Sequence, residues 1–280
     1  MRAHQGGWPL LFSDQTAMAS HDTRALGPFT PLNGTRVLLT GATSGLGAAM
    51  ARALAQAGAR VMVTGRDEER AAAAARALGS NAIPCPLDVR DERSVADCVA
   101  LACDAWGGID VLVNNAGIGM RTVNPRFLSE AQPFWQVSYG GFRDVLDTKV
   151  IGCFLMARAV VPLMLRNGGG RVVNISMNEQ TMTRRGFVPY GPAGAGVEAL
   201  SRVMAADLAG SSVAVNTLLP GGNGTLTGMV PDDVPAEIRA RLQDPAVMGP
   251  PIVWLASSPA SGVHDQRFIA TEFNAALAAP

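Results

Sequence analysis

Residues 37 to 47 read VLLTGATSGLG, an apolar run and a glycine-rich turn that lead into the alanine-rich stretch Ala48 to Ala57. The apolar run predicts a buried strand and the alanine-rich stretch predicts a helix. Between them Gly41 permits a tight turn, Gly45 lets backbone N–H groups approach a phosphate, and Gly47 allows close packing of the helix on the strand. This order of elements predicts a dinucleotide site whose pyrophosphate lies at the helix N-terminus.

The same alternation of strand and helix continues along the chain. Strands are expected near residues 36–40, 60–64, 82–87, 111–114, 171–176, 213–218 and 262–269. Helices are expected at residues 46–57, 67–78, 91–106, roughly 143–166, 190–209 and 235–242. The pattern predicts an α/β fold, a single-domain, Rossmann-type, doubly wound parallel sheet of about seven strands with helices on both faces. Such sheets bind ligands beyond the carboxyl ends of their strands, where the strand order reverses.

Composition and charge narrow the class of ligand. The chain has 280 residues, of which 16% are charged, and its formal net charge is zero. Nothing in this balance favours nucleic acid or an anionic membrane surface, so the expected partner is a small-molecule substrate. No apolar run approaches the length of a membrane-spanning helix, and the protein is predicted to be soluble. The cysteines Cys85, Cys98, Cys103 and Cys153 lack CxxC spacing, which favours reduced thiols in a cytoplasmic protein.

The two ends of the chain carry few chemical signals. Residues 1–33 show no periodicity and are expected to form a flexible N-terminal extension to a domain spanning residues 34–280. The histidines His4, His21 and His264 lie near the ends and outside every motif, which argues against a metal site or a His-based triad. Residues 221–248 begin with a stretch rich in Gly, Thr and Pro, which is typical of a mobile substrate lid.

Four motifs in the correct order resemble the short-chain dehydrogenase/reductase family. They are the loop TGATSGLG at residues 40–47, LDV at 87–89, NNAG at 114–117 and PG at 220–221. The resemblance covers about residues 34 to 270. It implies a nicotinamide-dependent oxidoreductase that interconverts a carbonyl and an alcohol. Because members of this family commonly pair their long helices across two-fold axes, it also implies a homodimer or homotetramer.

The resemblance further implies a set of cofactor-binding residues. Asp88 is expected to contact the adenine, and Thr225 or Thr227 the nicotinamide amide. The full set is Gly41, Thr43, Ser44, Gly45, Leu46, Gly47, Arg66, Asp88, Val89, Asn115, Ala116, Gly117, Pro220, Gly221 and Thr225.

The choice between the two nicotinamide cofactors depends on the end of the second strand. An acidic residue there would hydrogen-bond the ribose 2′-hydroxyl of NAD and repel a 2′-phosphate. The run is Val63-Thr64-Gly65-Arg66, without an acid before Asp67. Because the Arg66 guanidinium suits a phosphate, NADP(H) is favoured, whereas Asp67 keeps NAD(H) open.

The catalytic positions depart from the family pattern. In the family a Tyr acts as acid and base, a Lys four residues later lowers its pKa, a Ser holds the carbonyl oxygen and an Asn supports a water relay. Tyr190 matches the Tyr. Gly194 occupies the Lys position, Met177 the Ser position and Lys149 the Asn position. Three of the four positions are therefore altered.

A relocated charge is one explanation of this pattern. Bringing a phenol from a pKa near 10 to about 7 requires roughly 4 kcal/mol of stabilisation of the phenolate. A Lys149 that projects from the Asn position would place its ammonium in the space left at Gly194, although it could instead turn to solvent. Ser176 is the nearest replacement for the missing serine, but strand alternation aims it away unless the chain bends there. Asn178 and Thr181 are alternatives.

Three functions remain open at this point. The first is an NADP(H)-dependent oxidoreductase acting on a small carbonyl or alcohol, with Tyr190 as acid and base and Lys149 as its electrostatic partner. The second is a nucleotide-binding but catalytically inactive homologue with a regulatory or structural role. The third is a non-redox enzyme that uses the same cleft.

Overall fold

A computed structural model describes residues 30–222, 224–231 and 234–279 of the chain. Most of the predicted N-terminal extension, residues 1–29, therefore lies outside the described residues. Leu32 is buried, and its amide donates to the Ala57 carbonyl at 2.7 Å. The chain is thus packed against the domain before the predicted boundary at residue 34.

Seven parallel strands form one sheet in the order β3-β2-β1-β4-β5-β6-β7. The strands are β1 Arg36–Leu39, β2 Arg60–Gly65, β3 Ala82–Pro86, β4 Val111–Asn114, β5 Gly170–Ile175, β6 Val213–Leu219 and β7 Gln266–Ile269. All seven predicted strands are present, which confirms the fold class. The strand order reverses between β1 and β4, so the loops that follow these two strands form the crevice in which ligands bind.

Helices connect the strands and cover both faces of the sheet. They are α1 Gly45–Gln56, α2 Glu68–Leu78, α3 Glu92–Trp106, α4 Tyr139–Leu146, α5 Gly152–Arg166, α6 Glu179–Met182, α7 Tyr190–Asp207, α8 Ala236–Arg239, α9 Gly249–Ala256 and α10 Ala270–Leu277. Every predicted helix is present, whereas α6, α9 and α10 were not predicted. The carboxylates of Asp67 and Asp91 accept hydrogen bonds from the amides of Arg70 and Arg93, which explains why α2 and α3 begin where the sequence indicated.

A π turn, Asp147–Ile151, joins α4 and α5 into one helical segment from Tyr139 to Arg166. The segment begins four residues earlier than predicted, because Ser138 caps it by accepting a hydrogen bond from the Gly141 amide at 3.1 Å. Its length and hydropathy alone would permit it to cross a membrane. In the fold Met156 and Val160, on the inner face of this segment, are fully buried against the sheet.

Two apolar cores lie on opposite faces of the sheet. Because successive strand residues point to opposite faces, Val37 and Leu39 enter the core beneath α1, α9 and α10, and Leu38 enters the core beneath α3 and α5. The two packed layers hold the strand ends in fixed positions. The residues at those ends therefore form a rigid base for the site.

Strand β7 differs most from its prediction. It begins at Gln266 rather than at residue 262. Asp265 has a φ of +54°, in the left-handed region that interrupts an extended strand, so regular pairing starts only at the next residue.

Candidate active site

The glycine loop after β1 has a conformation that requires its glycines. Gly41 and Gly45 have φ values of +65° and +55°, which side-chain-bearing residues rarely adopt. A Cβ atom added to Gly41 would lie 3.0 Å from the Ala116 Cα. A Cβ atom added to Gly47 would collide with the Gly41 carbonyl and lie 2.6 Å from the side-chain Nδ2 of Asn115. The loop therefore needs glycine for backbone conformation and for close packing.

Hydrogen bonds tie this loop to the residues after β4. The Thr40 hydroxyl accepts from the amides of Asn115 and Ala116, each at 2.9 Å. The Asn115 side chain donates in return to the carbonyls of Thr40 and Gly41, each at 3.0 Å. The two loops at the strand-order reversal thus form one unit, and the structure brings Asn115 and Ala116 beside the predicted glycine loop.

The residues at the start of α1 fit the pyrophosphate of a dinucleotide. Ser44 is the N-cap residue, but its side chain makes no capping hydrogen bond, and the first turn contains no acidic residue. The first N–H groups of a helix have no intrahelical partner, and they carry the positive end of the helix dipole. Gly45, Leu46 and Gly47 would therefore hold the phosphates through their backbone.

The end of β2 carries an exposed positive charge. Arg66 is exposed immediately after the strand. The Asp67 carboxylate accepts a hydrogen bond from the Arg70 amide at 2.9 Å and caps α2. One carboxylate oxygen of Asp67 is thus engaged in the helix, whereas Arg66 remains accessible to a ligand.

Asp88, the predicted adenine contact, is paired within the chain. A hydrogen bond from the Arg90 side chain lowers the pKa of the Asp88 carboxyl, and the Arg90 Nε lies 2.9 Å from its Oδ1. The neighbouring Val89 is buried and packs against Gly152, where an added Cβ would lie 2.5 Å from a Val89 methyl group. These residues fix the end of β3 against α5.

Lys149 points towards Tyr190. Its Nζ lies 5.0 Å from the centre of the Tyr190 ring. Tyr190 is the first residue of α7, Lys149 is the middle residue of the π turn, and both side chains are half-buried. A Cβ atom added to Gly117 would lie 3.3 Å from the same Nζ, which places the ammonium between the Tyr190 ring and the loop after β4. The structure therefore brings together two of the three predicted catalytic residues.

Lys149 is the only lysine in the 280-residue chain, and every other basic side chain except the three histidines is an arginine. An ammonium is a compact point charge, whereas a guanidinium is a broad planar fork, so the two groups do not replace one another in a confined site. The presence of a single lysine at this position is a sequence signal that motif comparison alone overlooks.

The changes at the Ser and Lys positions form one packing arrangement. A Cβ atom added to Gly194 would lie 2.6 Å from Met177 Cε, 2.8 Å from its Sδ and 3.0 Å from its Cγ. Both residues are buried, and Met177 is 6% exposed. The Met177 side chain fills the space into which any side chain at 194 would grow. A lysine at 194 would therefore require the Met177 side chain to move.

Ser176 has a different partner from the one predicted. Its hydroxyl donates to Glu198 Oε1 at 2.7 Å, and the same oxygen accepts from Arg267 Nε at 2.8 Å. The Ser176 side chain is thus held by Glu198 of α7, which also pairs with Arg267 of β7. The structure does not bring Ser176 to Tyr190 and Lys149, and we do not assign it to the substrate oxygen. The alternative Asn178 donates to the Gly222 carbonyl at 2.7 Å.

The predicted lid packs over the crevice. After Pro220 and Gly221, the Leu226 amide donates to the Gln243 carbonyl at 2.8 Å, in an isolated bridge between Thr225 and Gln243. The Thr227 side chain lies 3.2 Å from where a Cβ of Gly45 would be. Of the two threonines considered for the cofactor, Thr227 is therefore the one that contacts the glycine loop.

Cys153 is buried near Lys149, but its thiol is not a nucleophile. Burial raises the pKa of its thiol to about 12, and the nearby positive charge of Lys149 offsets this only in part. The thiol is therefore neutral at physiological pH, and it donates a weak hydrogen bond to Asn174 Oδ1 at 3.4 Å. Among the described residues, no group of three His, Cys, Asp or Glu side chains could hold a metal ion.

Comparison with known proteins agrees with this geometry. Residues 35–236 match the family described as short chain dehydrogenase. A 3-oxoacyl-[acyl-carrier-protein] reductase of Vibrio cholerae is 33% identical over 236 residues, which cover 82% of this chain and 93% of that protein. A probable NADP-dependent dehydrogenase of Haemophilus influenzae is 31% identical over 67% of this chain and 71% of that protein.

Among solved structures, the 3-ketoacyl-(acyl-carrier-protein) reductase of Brucella melitensis, complexed with NADH, superposes with a TM-score of 0.75 at 27% identity. The superposition covers 85% of this chain and 97% of that chain. The agreement therefore extends over nearly the whole length of the reductase.

Proposed function

Because this chain belongs to the short-chain dehydrogenase family, we propose that it is an NADP(H)-dependent reductase of a small carbonyl compound with a rearranged catalytic site. Its relatives indicate an oxidoreductase that acts on carbonyl or alcohol substrates. The observation that carries the finer proposal is the single lysine of the chain, whose ammonium lies 5.0 Å from the ring of the family tyrosine.

In this proposal Tyr190 donates its hydroxyl proton to the substrate oxygen, and Lys149 stabilises the phenolate that remains. A positive charge within about 6 Å of a phenol favours the ionised form of that phenol. The nicotinamide ring supplies the hydride when the cofactor is bound.

The test of this role is Lys149→Met, with Arg158→Met as the matched control. Arg158 is an exposed basic residue of the same helical segment, paired with Glu92 at 3.5 Å. We expect Lys149→Met to reduce the rate of NADPH oxidation with a carbonyl substrate at least about 100-fold, with cofactor affinity and thermal stability preserved. Arg158→Met should retain the wild-type rate. Full activity of Lys149→Met would refute the role.

NADP(H) is proposed on the basis of Arg66 and Asp67. Arg66 is exposed beside the crevice, whereas Asp67 directs one carboxylate oxygen into the cap of α2. Arg66→Ala should weaken NADPH binding about 10- to 100-fold, the factor for one charge-assisted contact with a phosphate, and leave NADH affinity almost unchanged. Isothermal titration with both cofactors measures the ratio. Equal losses for both cofactors would contradict the proposed preference.

An inactive nucleotide-binding protein is the second candidate, and one observation favours it. Met177 removes the hydroxyl that holds the substrate oxygen in the family, and Ser176 is engaged by Glu198 instead. Binding of NADPH without oxidation across a panel of aldehydes, ketones and 3-oxoacyl thioesters would support this candidate. Conversion of a substrate without a change in the cofactor would instead indicate a non-redox enzyme.

Self-association and a cytoplasmic location stay predictions. Exposed apolar residues on α5 and α7 support the first, because Phe154 is 43% exposed and Val203 is 58% exposed. These two helices are the ones that the family resemblance places at a two-fold interface. Sedimentation equilibrium of the full chain measures the oligomeric state.

A further inference from the structure

A small cavity lies beside the Lys149 side chain. It has a volume of about 10 Å³ and is lined in part by Asn114, Thr148, Lys149 and Cys153. A cavity of this size accommodates about one water molecule when polar partners are present, but it is far too small for a substrate. The cavity can therefore hold one internal water molecule.

A directional chain of buried hydrogen bonds orients Asn114. The Ser201 hydroxyl donates to the Val197 carbonyl at 2.6 Å, so it accepts from the Asn174 amide nitrogen at 2.8 Å. The Asn174 Oδ1 therefore faces Asn114 and accepts from its Nδ2 at 2.9 Å. Asn114 consequently commits its donor nitrogen to the core and leaves its Oδ1 for another partner.

That oxygen is buried and has no hydrogen-bond partner within the described part of the chain. Asn114 is only 7% exposed, so bulk water does not reach it freely. A buried carbonyl oxygen without a donor is unfavourable, and such atoms in native proteins usually bind an ordered water or ion. The Asn114 side chain thus offers an unused acceptor at the wall of the cavity that Lys149 also lines.

The other polar groups around the cavity have partners of their own. The Thr40 hydroxyl accepts from two backbone amides and donates to the Val113 carbonyl at 3.3 Å. The Thr148 hydroxyl donates to the Asp144 carbonyl at 2.7 Å. The Cys153 thiol donates to Asn174. Among the side chains that line the cavity, Asn114 is the one whose oxygen has no hydrogen-bond donor in the described part of the chain.

We infer that one water molecule in this cavity accepts a hydrogen bond from the Lys149 ammonium and donates one to Asn114 Oδ1. Asn114 is then a positioning residue, because it holds the ammonium beside Tyr190 without touching substrate or cofactor. The catalytic consequence rests on the proposed reductase function. The water site itself does not, because it follows from the unpaired Asn114 oxygen and from the cavity that Asn114 and Lys149 both line.

The first test is a crystal structure of the full chain that shows ordered waters. We expect density for one water within hydrogen-bond distance of both Lys149 Nζ and Asn114 Oδ1. The second test is NMR of protein labelled with ¹⁵Nζ-lysine, which gives a single side-chain signal because the chain has one lysine. Asn114→Leu should speed the exchange of the ammonium hydrogens with solvent by about five- to tenfold, as expected for one lost hydrogen bond.

Two further variants separate positioning from a general effect on folding. Asn114→Asp keeps an acceptor beside Lys149 but loses the donor to Asn174 Oδ1, so it should preserve slow exchange of the ammonium hydrogens while lowering the stability of the fold. Cys153→Ala alters the same cavity but leaves both partners of the water, and it should also preserve slow exchange. In a carbonyl reduction assay, Asn114→Leu should lower kcat and shift the pH profile, with the KM for the cofactor unchanged.

Absence of the water density, or unchanged exchange in a folded Asn114→Leu variant, would overturn the inference. The density and the exchange rate are measured without substrate. If both behave as expected while no carbonyl compound is reduced, Asn114 still positions Lys149, and only the reductase proposal fails.

Discussion

At the scale of single residues, substitutions at two family positions are coupled by packing. The three outer atoms of Met177 lie within 3.0 Å of the Cβ position of Gly194. The helix-interior glycine costs about 1 kcal/mol relative to alanine, but it leaves room for a buried methionine. In the proposed mechanism a charge that supports Tyr190 would therefore have to come from another position, and Lys149 on the π turn is the one lysine of the chain.

This coupling predicts a non-additive double mutant. Gly194→Lys should lower the free energy of unfolding by about 1–3 kcal/mol, because the new side chain overpacks Met177. Met177→Ser should relieve the overpacking, so the double variant should be more stable than the sum of the single effects by about 0.5–3 kcal/mol. Urea denaturation of the four proteins measures this difference.

Ala195→Lys is the matched control, since Ala195 is an exposed residue of the same helix. Its effect should stay within about 0.5 kcal/mol and should add to that of Met177→Ser. Additive behaviour of the Gly194 and Met177 substitutions would show that the two side chains do not compete for space.

The sequence predicted the glycine loop and Tyr190 because these features depend on local backbone chemistry and on motif order. It did not predict the Met177–Gly194 contact, because that contact joins two elements and depends on which rotamer fits a shared space. It left the direction of Lys149 open for the same reason. The unused acceptor of Asn114 becomes visible only when its partners across the sheet are known.

At the scale of elements, the regular strands and capped helices were predictable, whereas the irregular turn at Lys149 was not. Asp67 and Asp91 mark helix starts by their own side chains. The π turn Asp147–Ile151 has no capping side chain that would mark it in the sequence. A π turn adds one residue to a helical turn, and contacts with neighbouring elements stabilise that extra residue. Such turns are frequent at functional sites, and this one presents Lys149 to α7.

One of the side chains that tether the predicted lid, residues 221–248, can be tested by substitution. Asn178 donates to the Gly222 carbonyl at 2.7 Å. Asn178→Ala should remove this bond, increase amide exchange in residues 224–231 and raise the Kd for NADPH about fivefold, as expected for one neutral hydrogen bond. Hydrogen exchange with mass spectrometry and cofactor titration provide the two measurements.

Asn124→Ala is a control with the same type of bond in a different loop. The Asn124 side chain donates to the Glu130 carbonyl, also at 2.7 Å, and neither residue belongs to the lid. Its loss should leave exchange in residues 224–231 and the Kd for NADPH unchanged. Equal effects of the two variants would mean that Asn178 is not a specific tether of the lid.

At the scale of the whole molecule, the two ends of the sheet have different roles. The carboxyl ends of β1 and β4 carry the glycine loop and the residues around Lys149. At the amino ends of the same strands, Arg36 and Asp110 form a paired cluster with the Arg36 Nε 2.9 Å from Asp110 Oδ2. One end therefore carries the candidate site, whereas the Arg36–Asp110 pair at the other end contributes to stability.

The Arg36–Asp110 pair predicts how stability depends on acid. Burial acts to raise the pKa of the Asp110 carboxyl, but hydrogen bonds from the Arg36 side chain and amide outweigh it and leave the pKa below its usual value. A carboxyl whose pKa is lower in the folded state contributes stability that is present above its unfolded pKa of about 4 and is lost as the pH falls through its folded pKa. Urea denaturation between pH 5 and about 2.5 should therefore show a falling free energy of unfolding below about pH 4.

Arg36→Met should lower the free energy of unfolding by about 1–3 kcal/mol at pH 7, because it removes charge-assisted hydrogen bonds to a partly buried carboxylate. It should also flatten the dependence of the free energy of unfolding on pH below about pH 4, since the cause of the lowered pKa is gone.

Arg126→Met is the matched control: Arg126 pairs with Glu130 at 2.9 Å, but both side chains are more than half exposed. That variant should change stability by at most about 1 kcal/mol. An unchanged acid profile in Arg36→Met would mean that other carboxylates determine the acid limit of the fold.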